Sequence, residues 1–410
     1  MNLVEKSERG HERGPAASSE QALVQAPASK RNKRLDILRC IAVLAVLVHH
    51  TGAVPLLTKM GWAGVDLFFV LSGFLISGLL YSEYKKTGAI NFKRFFIRRG
   101  LKIYPAFYVM LFVTFVAQWV LNDIRTPGAY LREVVFVQSY AYGIWSHTWS
   151  LAVEEHFYIF LPIFLLLVIR SSFRRQAPFY IIPLTFVFIA VVCLSLRVST
   201  ILLTPASVFR NPMVMNPTHD RMDALFFGVF LGYLHHFRPE ILEQLFRPLR
   251  NRIAFGVLTA FLLSCCFFFT RESHFLLTFG LSFLYLGFGG LLLLSLYVRN
   301  VLPARLAALA GKVGTACAFV GVYSYSIYLW HVPFGSYAPG VVRRAVHIQM
   351  TGMAAFAFNI LGGIALGILM ARLIEFPVIR LRDRLFPALL TSPGLALRRV
   401  TIGRNQESPT

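Results

Sequence analysis

RLDILRCIAVLAVLVHH, residues 34–50, is a long apolar run with ionisable groups at both ends. Asp36 and Arg39 stand near its start, and His49 and His50 stand at its end. At 100° per residue, Arg39 and His50 fall within about 20° of each other on one helical face, ~16 Å apart along the axis, whereas His49 lies off that face. Asp36 precedes Arg39 by three residues, a spacing at which helical side chains pair. The stretch therefore predicts a helix with a cation near one end and an imidazole near the other.

Similar apolar runs recur along the whole chain of 410 residues. Hydrophobic residues make up 56% of the sequence and charged residues 15%, against about 25% charged in an average soluble domain. The runs are about 20 residues long, which is the length that crosses ~30 Å of hydrocarbon. The sequence predicts an all-α, multi-pass integral membrane protein. Membrane orientation explains the net charge of +22 better than nucleic-acid binding does, so no nucleic-acid partner is expected.

A bundle of about ten transmembrane helices is predicted within a membrane domain at residues 35–385. The candidate spans are residues 37–57, 62–82, 101–121, 148–169, 178–197, 221–237, 253–270, 275–298, 314–335 and 350–371. Most of the 41 Lys and Arg residues fall in the tails and in alternate loops, so the positive-inside rule places both termini in the cytoplasm. The expected location is a bacterial inner membrane.

The two ends of the chain are predicted to be tails outside the membrane domain. Residues 1–34 are polar and contain no apolar signal-peptide core, which predicts a disordered cytoplasmic tail. Residues 386–410 are predicted to form a second cytoplasmic tail. The five cysteines lie in apolar runs without metal or redox spacing, so no metal site is expected.

Several ionisable residues lie toward the outer ends of the predicted spans. Charges inside a membrane are costly and usually functional, and a histidine beside a carboxylate can act as a general base on a hydroxyl. Each residue alone is also compatible with a satisfied buried pair, so the prediction depends on their convergence. The set comprises His50, Asp66, Glu154, Arg221, Asp223 and His331. Aromatic residues nearby, including Trp149, either stack on sugar rings or form a membrane-interface belt.

NFKRFFIRRGLKIYPAFY, residues 91–108, forms a basic cluster at the opposite face. Its cations are Arg94, Arg98, Arg99 and Lys102, followed by Tyr104. Part of this charge is orientation signal or binds lipid headgroups. Because the cations run directly into a predicted span, the cluster is also suited to a phosphorylated ligand.

Seven motifs together resemble the acyltransferase 3 family, in order, from about residue 35 to 385. They are LDILRCIAVLAVLVHH (35–50), GWAGVDLFFVLSGFLISG (61–78), FFIRRGLKIYP (95–105), WSLAVEEHFYIFLP (149–162), THDRMDALFFG (218–228), YSYSIYLWH (323–331) and EFP (375–377). The resemblance implies ten spans and transfer of an acyl group, often acetyl, from cytoplasmic acyl-coenzyme A to hydroxyls of exported carbohydrates or other acceptors.

The resemblance also implies roles for individual residues. Arg39 and His50 match the family's Arg-x10-His motif, with His50 the favoured catalytic base, oriented by Asp66 or Glu154. Arg98, Arg99 and Lys102 match the family's basic motif, which serves the coenzyme, and Glu154 matches its SL-x-x-E position. From their own positions in the predicted bundle, Arg94 and Tyr104 are also expected to bind the coenzyme, and Arg221, Asp223, His331 and Trp149 the substrate. Lys102 stands where arginine is common, so it retains the charge but loses bidentate geometry. Acyl-coenzyme A is expected as a donor substrate, with no tightly bound cofactor.

The function predicted from these residues is membrane O-acylation of an exported or surface carbohydrate, or of a lipid-linked glycan. Acylation of a small exported metabolite, transport of anionic or glycosidic solutes, and a role as a membrane sensor or scaffold are the alternatives. Some relatives carry a hydrolase-like domain after the last span; only about 25 residues follow it here, so transfer is expected to finish within the membrane domain or with a separate partner. Direct transfer and an acyl-enzyme route both remain open, as does the choice between His49 and His50.

Overall fold

The structure is a computed structural model that describes residues 32–52, 55–122, 126–171, 179–298, 304–347 and 349–387. Those residues contain helices and connecting segments and no β-strand, which agrees with the predicted all-α class. The helices belong to one compact unit, Lys33–Thr410. Most of the predicted tail at residues 1–34, and nearly all of that at 386–410, lies outside the described residues.

The described α-helices vary in length from 4 to 29 residues. The α-helices are α1 (Lys33–Thr51), α2 (Pro55–Gly61), α3 (Gly64–Thr87), α4 (Phe92–Val120), α5 (Pro127–Val134), α6 (Trp149–Ser171), α7 (Ile182–Leu203), α8 (Pro212–Met215), α9 (Met222–Phe237), α10 (Pro239–Phe246), α11 (Leu249–Phe268), α12 (Leu281–Tyr297), α13 (Ala304–Val322), α14 (Ser324–Val346), α15 (Gly352–Met370) and α16 (Phe376–Leu385). A 3-10 turn at Thr218–Asp220 precedes α9, and π-helical turns at Leu276–Gly280 and Ala371–Glu375 precede α12 and α16.

Seven of the described helical segments are long and apolar enough to cross a membrane, or up to eight if α13 and α14, which bend by 71°, form one span. The predicted count of ten is therefore not confirmed. Helix α1 is not among these segments because its first two turns carry four charged residues, Lys33, Arg34, Asp36 and Arg39. The helix α9 has 16 residues, which is about 24 Å and shorter than the ~30 Å hydrocarbon layer. The cytoplasmic placement of both termini stays a prediction.

Close packing of α3 against α9 brings the ends of these helices together. A side chain at Gly228 would overlap the carbonyl oxygen of Val70, and one at Gly73 would overlap that of Leu225. Small residues of this kind let helix backbones approach closely. The approach places Asp66, near the start of α3, beside Arg221, which directly precedes α9.

A second buried ion pair ties α7 to α9. Arg197 Nη2 lies 2.8 Å from Asp223 Oδ2, and both side chains are at most 1% exposed. Arg197 also donates to Ser282 Oγ at 2.9 Å and to the carbonyl oxygen of Asp220 at 3.2 Å. Each charge is thus compensated inside the bundle, which a buried ion needs if it is to remain charged.

The irregular segment between α5 and α6 is organised by Glu133, which is fully buried. Its Oε1 atom accepts hydrogen bonds from the backbone nitrogens of Ile144 and Trp145, at 2.9 and 3.1 Å, and from Thr148 Oγ1 at 2.8 Å. One carboxyl oxygen therefore fixes a segment that has no regular secondary structure of its own.

Burial raises the pKa of Glu133 above its usual value of 4.5, although its hydrogen bonds oppose the shift. Because the folded chain then holds this proton more tightly than the unfolded chain, the Glu133 contribution to stability is fully present below pH 4.5 and declines as the pH rises above that value. Glu133→Gln, which keeps the accepting oxygen without a charge, is expected to remove this decline. Thermal melting in detergent between pH 4 and pH 8 measures it.

Glu133→Ala provides the opposing case, because it leaves up to three buried donors without an acceptor, at about 1–3 kcal/mol for each. Glu243, which is exposed, is the control position: Glu243→Gln is expected to change the melting temperature and its pH dependence little. If Glu133→Gln destabilised the protein as much as Glu133→Ala, the claim that the accepting oxygen of Glu133 stabilises this segment would be contradicted.

Candidate active site

A cavity of about 240 Å³ lies between α1, α3, the segment before α6 and the start of α9. We call it the histidine cavity. Its wall includes four of the predicted site residues and five further polar or charged residues: His50, Asp66, Arg221 and Trp149, together with His49, Ser146, His147, Arg271 and Tyr328. Trp149 is buried and faces this cavity rather than a surface belt.

Three imidazoles meet at one side of the cavity. His331 Nε2 lies 3.3 Å from His50 Nδ1, and the ring of His147 lies 5.1 Å from that of His331 and 6.4 Å from that of His50, centre to centre. His331 and His147 are buried, whereas His50 is exposed at the cavity. The structure thus brings His331 directly behind His50, and the predicted contact of His331 with the substrate stays a prediction.

Backbone carbonyls assign the tautomers of two of these three rings, those of His50 and His331. The carbonyl oxygen of Val46 lies 3.0 Å from His50 Nδ1, and that of Tyr328 lies 2.6 Å from His331 Nδ1. Because a carbonyl only accepts, each Nδ1 is assigned the hydrogen. The lone pair of His331 Nε2 then faces the Nδ1–H of His50, and His50 Nε2 is left as a base.

His49 differs from His50 because both of its ring nitrogens are engaged. Its Nδ1 lies 2.7 Å from the carbonyl oxygen of Thr58, and its Nε2 lies 3.3 Å from Arg271 Nη1. The guanidinium only donates, so it occupies the remaining lone pair of His49. Among the two histidines, the geometry favours His50 as the residue that accepts a proton.

Asp66 is held by Arg221 and not by His50. Asp66 Oδ1 lies 2.5 Å from Arg221 Nη2, and both side chains are at most 1% exposed. The guanidinium of Arg221 also lies over the rings of Phe69 and Trp149, at 5.6 and 5.8 Å. Asp66 therefore faces the same cavity as His50 but is committed to a cation, so the predicted Asp66–His50 contact is not observed.

Three other predicted site residues lie outside the histidine cavity. Asp223 belongs to the Arg197 ion pair described above. Glu154 accepts a hydrogen bond from Tyr158 and lies 3.8 Å from Arg99. Arg39 pairs with Asp36 at 2.7 Å, as predicted. Helix depth explains the position of Glu154: it is five residues into α6, about 7.5 Å from Trp149 along the axis, and therefore reaches a different layer.

A second cavity, of about 290 Å³, collects the predicted basic residues. We call it the basic cavity; its charged wall residues are Glu83, Arg94, Arg98, Arg99, Lys102 and Arg382. Its cations are positioned by acids: Arg94 pairs with Glu83 at 2.6 Å, and Arg98 pairs with Asp383 at 2.9 Å. Tyr104 is not part of this wall and donates instead to Glu155 Oε2 at 3.0 Å.

The polar face of α6 connects the two cavities. Ser150, Glu154 and Tyr158 are spaced by four residues, so they share one face and span ~12 Å. Ser150 Oγ lies 2.6 Å from the hydroxyl of Tyr328, which lines the histidine cavity. Glu154 and Tyr158 contact Arg99, which lines the basic cavity. One helix therefore links a phosphate-compatible site to an imidazole site.

Sequence reasoning missed His147, Arg197 and Arg271. His147 stands two residues before Trp149, just ahead of the motif at residues 149–162. Arg197 is a cation in the apolar run CLSLRVST and was counted only as the end of a span. Arg271, in TRESH, reads as an ordinary loop charge. Among the residues that the structure describes, no group of three or more His, Cys, Asp or Glu is placed to hold a metal ion.

Together the fold and the two cavities define a multi-pass helical membrane protein with a basic site and a histidine site. The acyltransferase 3 family, described as "Acyltransferase domain", matches residues 32–390. The chain belongs to this family.

Three curated relatives have comparable similarity. A protein of Staphylococcus aureus (strain COL), provisionally named an O-acetyltransferase, is 29% identical over 323 residues, which cover 72% of this chain and 49% of the relative. Peptidoglycan O-acetyltransferase OatA of Listeria monocytogenes is 29% identical over 73% of this chain and 48% of its own length. O-acetyltransferase OatA of Staphylococcus aureus (strain NCTC 8325) is 28% identical over 73% of this chain and 50% of its own length.

The chain spans about half the length of the curated relatives that it matches. No solved structure matches it significantly.

Proposed function

We propose that this protein is an O-acetyltransferase that moves an acetyl group from acetyl-coenzyme A to a hydroxyl of a surface carbohydrate. The observation that carries the proposal is the linkage of the basic cavity to the histidine cavity along one face of α6. The family and the names of the O-acetyltransferase relatives support the same reaction. The donor enters from the cytoplasm, and the protein resides in the bacterial inner membrane with both termini on the cytoplasmic side.

In the proposed reaction, His50 Nε2 removes the proton from the acceptor hydroxyl as its oxygen attacks the thioester carbonyl. The tetrahedral intermediate then expels the thiolate of coenzyme A, which takes the proton from His50. His331 stabilises the His50 imidazolium, because its Nε2 lone pair accepts from His50 Nδ1–H at 3.3 Å. A neutral imidazole and the Val46 carbonyl thus fill the orienting position that the sequence assigned to a carboxylate. Arg39 keeps a role only by family resemblance.

The cations of the basic cavity bind the phosphates of the donor. Guanidinium and ammonium groups form charge-assisted hydrogen bonds with phosphate oxygens, and the apolar side of the same cavity, formed by Ile76, Leu79, Leu80 and Phe95, accommodates the aliphatic arm. Arg99 stands where the cavity meets Glu154 and Tyr158. The thioester end would therefore continue along α6 toward His50.

Lys102→Gln is expected to raise the KM for acetyl-coenzyme A by about 10- to 100-fold, because a charge-assisted hydrogen bond contributes about 1.5–3 kcal/mol. The kcat should change much less, since Lys102 lies far from the reacting atoms in this scheme. Initial rates of coenzyme A release in detergent measure both constants. Acetyl-pantetheine, which has no phosphate, is the matched donor, and its KM should not respond to the substitution.

Arg250→Gln, at an exposed position outside both cavities, removes the same charge and serves as the control. An equal loss with both donors would contradict phosphate binding at Lys102. If the protein released no coenzyme A from acetyl-coenzyme A with any acceptor, the proposed reaction would be contradicted and transport would become the favoured function. Mass spectrometry of surface glycans, with and without the gene, identifies the acceptor.

A further inference from the structure

Arg271 is a cation in the histidine cavity that the proposed reaction does not use. Its Nη1 atom lies 3.3 Å from His49 Nε2, and its Nε atom lies 3.4 Å from Met215 Sδ. Both partners are neutral acceptors. Within the described part of the chain no carboxylate forms an ion pair with Arg271 within 4.0 Å; the next residue, Glu272, is exposed and acts only at longer range.

The cavity wall as a whole carries more positive than negative charge. Its cations are Arg221 and Arg271, and its single described acid is Asp66, which is paired with Arg221. The Nε and Nη1 atoms of Arg221 are buried without a hydrogen-bond partner in the described residues. With the imidazoles counted as neutral, the residues that line the cavity carry a net charge of +1, while Asp220 and Glu272 act on these cations from outside the lining.

A partly buried cation held by neutral groups favours an anionic ligand, because burying a charge without a counter-charge is costly. A guanidinium offers paired donors that match the two oxygens of a carboxylate or phosphate. We infer that the histidine cavity binds an acidic saccharide, whose carboxylate or phosphate is held by Arg271 while its hydroxyl lies at His50. This inference rests on the proposed acyl transfer and adds the class of acceptor.

The position of Arg271 fits this arrangement. It contacts His49, whose ring lies 5.2 Å from that of His50, centre to centre. The anion and the reacting hydroxyl would therefore sit on the same sugar residue or on adjacent ones. A neutral saccharide would remove water from the Arg271 guanidinium without supplying a counter-charge, so the site should bind neutral saccharides much more weakly than acidic ones.

The test uses the full chain in detergent with matched sugars. N-acetylmuramic acid differs from N-acetylglucosamine by a lactyl ether that carries a carboxylate, and N-acetylglucosamine 1-phosphate supplies phosphate instead. Binding is followed by the ligand-dependent rise in melting temperature at constant ionic strength. Acetyl transfer from acetyl-coenzyme A is followed by mass spectrometry. The variants are Arg271→Gln, Arg271→Lys and, as an exposed control outside the cavity, Arg210→Gln.

The expected result is at least 10-fold tighter binding of one or both acids than of N-acetylglucosamine. The preference should be lost in Arg271→Gln, partly kept in Arg271→Lys and unchanged in Arg210→Gln. The identity of the preferred acid separates a carboxylate from a phosphate acceptor. No binding of either acid, equal binding of the neutral sugar, or a preference that survives Arg271→Gln overturns the inference. A drop in kcat alone, equal for every sugar, would assign Arg271 to the oxyanion instead.

Donor turnover in the same samples tests the proposed function separately. Acid binding without any release of coenzyme A would contradict acyl transfer and leave the anion site standing. Release of coenzyme A without a preference for acidic sugars would contradict the anion site and leave the proposed acyl transfer standing.

Discussion

His50→Ala is expected to lower acetyl transfer by about 10²- to 10⁴-fold, the usual contribution of a positioned general base. The physical reason is that His50 Nε2 is the unengaged lone pair at the cavity, whereas its Nδ1 is held by the carbonyl oxygen of Val46 and by His331. Coenzyme A release and acceptor acetylation, measured on purified protein in detergent, give the rate. Melting temperature and elution volume verify that the fold is intact.

Two further histidine variants make this experiment specific. His274→Ala removes an exposed histidine that does not line the cavity and should leave the rate unchanged. His49→Ala should lower the rate of acetyl transfer less than His50→Ala does, because both ring nitrogens of His49 already contact Thr58 and Arg271. A larger loss in His49→Ala than in His50→Ala would reverse the assignment of the base.

His331→Ala separates the support from the base itself. Without His331, the His50 imidazolium that forms during proton transfer loses an acceptor at 3.3 Å, so the rate should fall.

 The rate comparison between His331→Ala and His50→Ala is therefore the informative measurement, and the His331 variant should retain more activity than the His50 variant.

Breaking the Arg197–Asp223 ion pair is expected to produce the largest loss of stability. Both side chains are at most 1% exposed and lie 2.8 Å apart, so Asp223→Ala leaves a guanidinium buried without its counter-charge. Removing one partner of a buried pair costs about 3–5 kcal/mol. Thermal melting in detergent measures the loss, and an uncompensated Arg197 should also lower the yield of folded protein.

The double variant Arg197→Met with Asp223→Leu distinguishes a lost attraction from a stranded charge. It removes both ions and fills similar volume, so it should recover most of the stability that Asp223→Ala loses. The exposed pair of Arg238 and Glu240, 3.7 Å apart and each more than half exposed, is the control. Glu240→Ala should cost no more than about 1 kcal/mol. A double variant as unstable as the single one would contradict this account.

Part of the site could be predicted from the sequence because ionisable residues in apolar helices are costly and therefore conspicuous. This reasoning selected His50, Asp66, Arg221 and Trp149, which the structure brings to one cavity. It also selected four of the five cations that line the basic cavity, because these four occupy successive turns of one helix, α4, whereas Arg382 lies on α16.

The remaining predictions depended on which partners these residues meet, and a linear pattern does not contain that information. Asp223 lies in the first turn of α9, whereas Arg221 precedes that helix with a non-helical backbone, and each pairs with a different helix. Glu154 was grouped with the histidines, but its depth along α6 places it beside Arg99. His147 lies in a segment without periodicity, where no helical pattern predicts its direction.

The sequence by itself determined the membrane class, the helical architecture and the family, since these follow from run lengths, composition and ordered motifs. It also determined that Arg39 and Asp36 pair, because that contact is local to one helix. Only the tertiary structure decided the pairing of Asp66 with Arg221 and the position of His331 behind His50. These features depend on helix packing and depth, which join residues up to 281 positions apart in the chain.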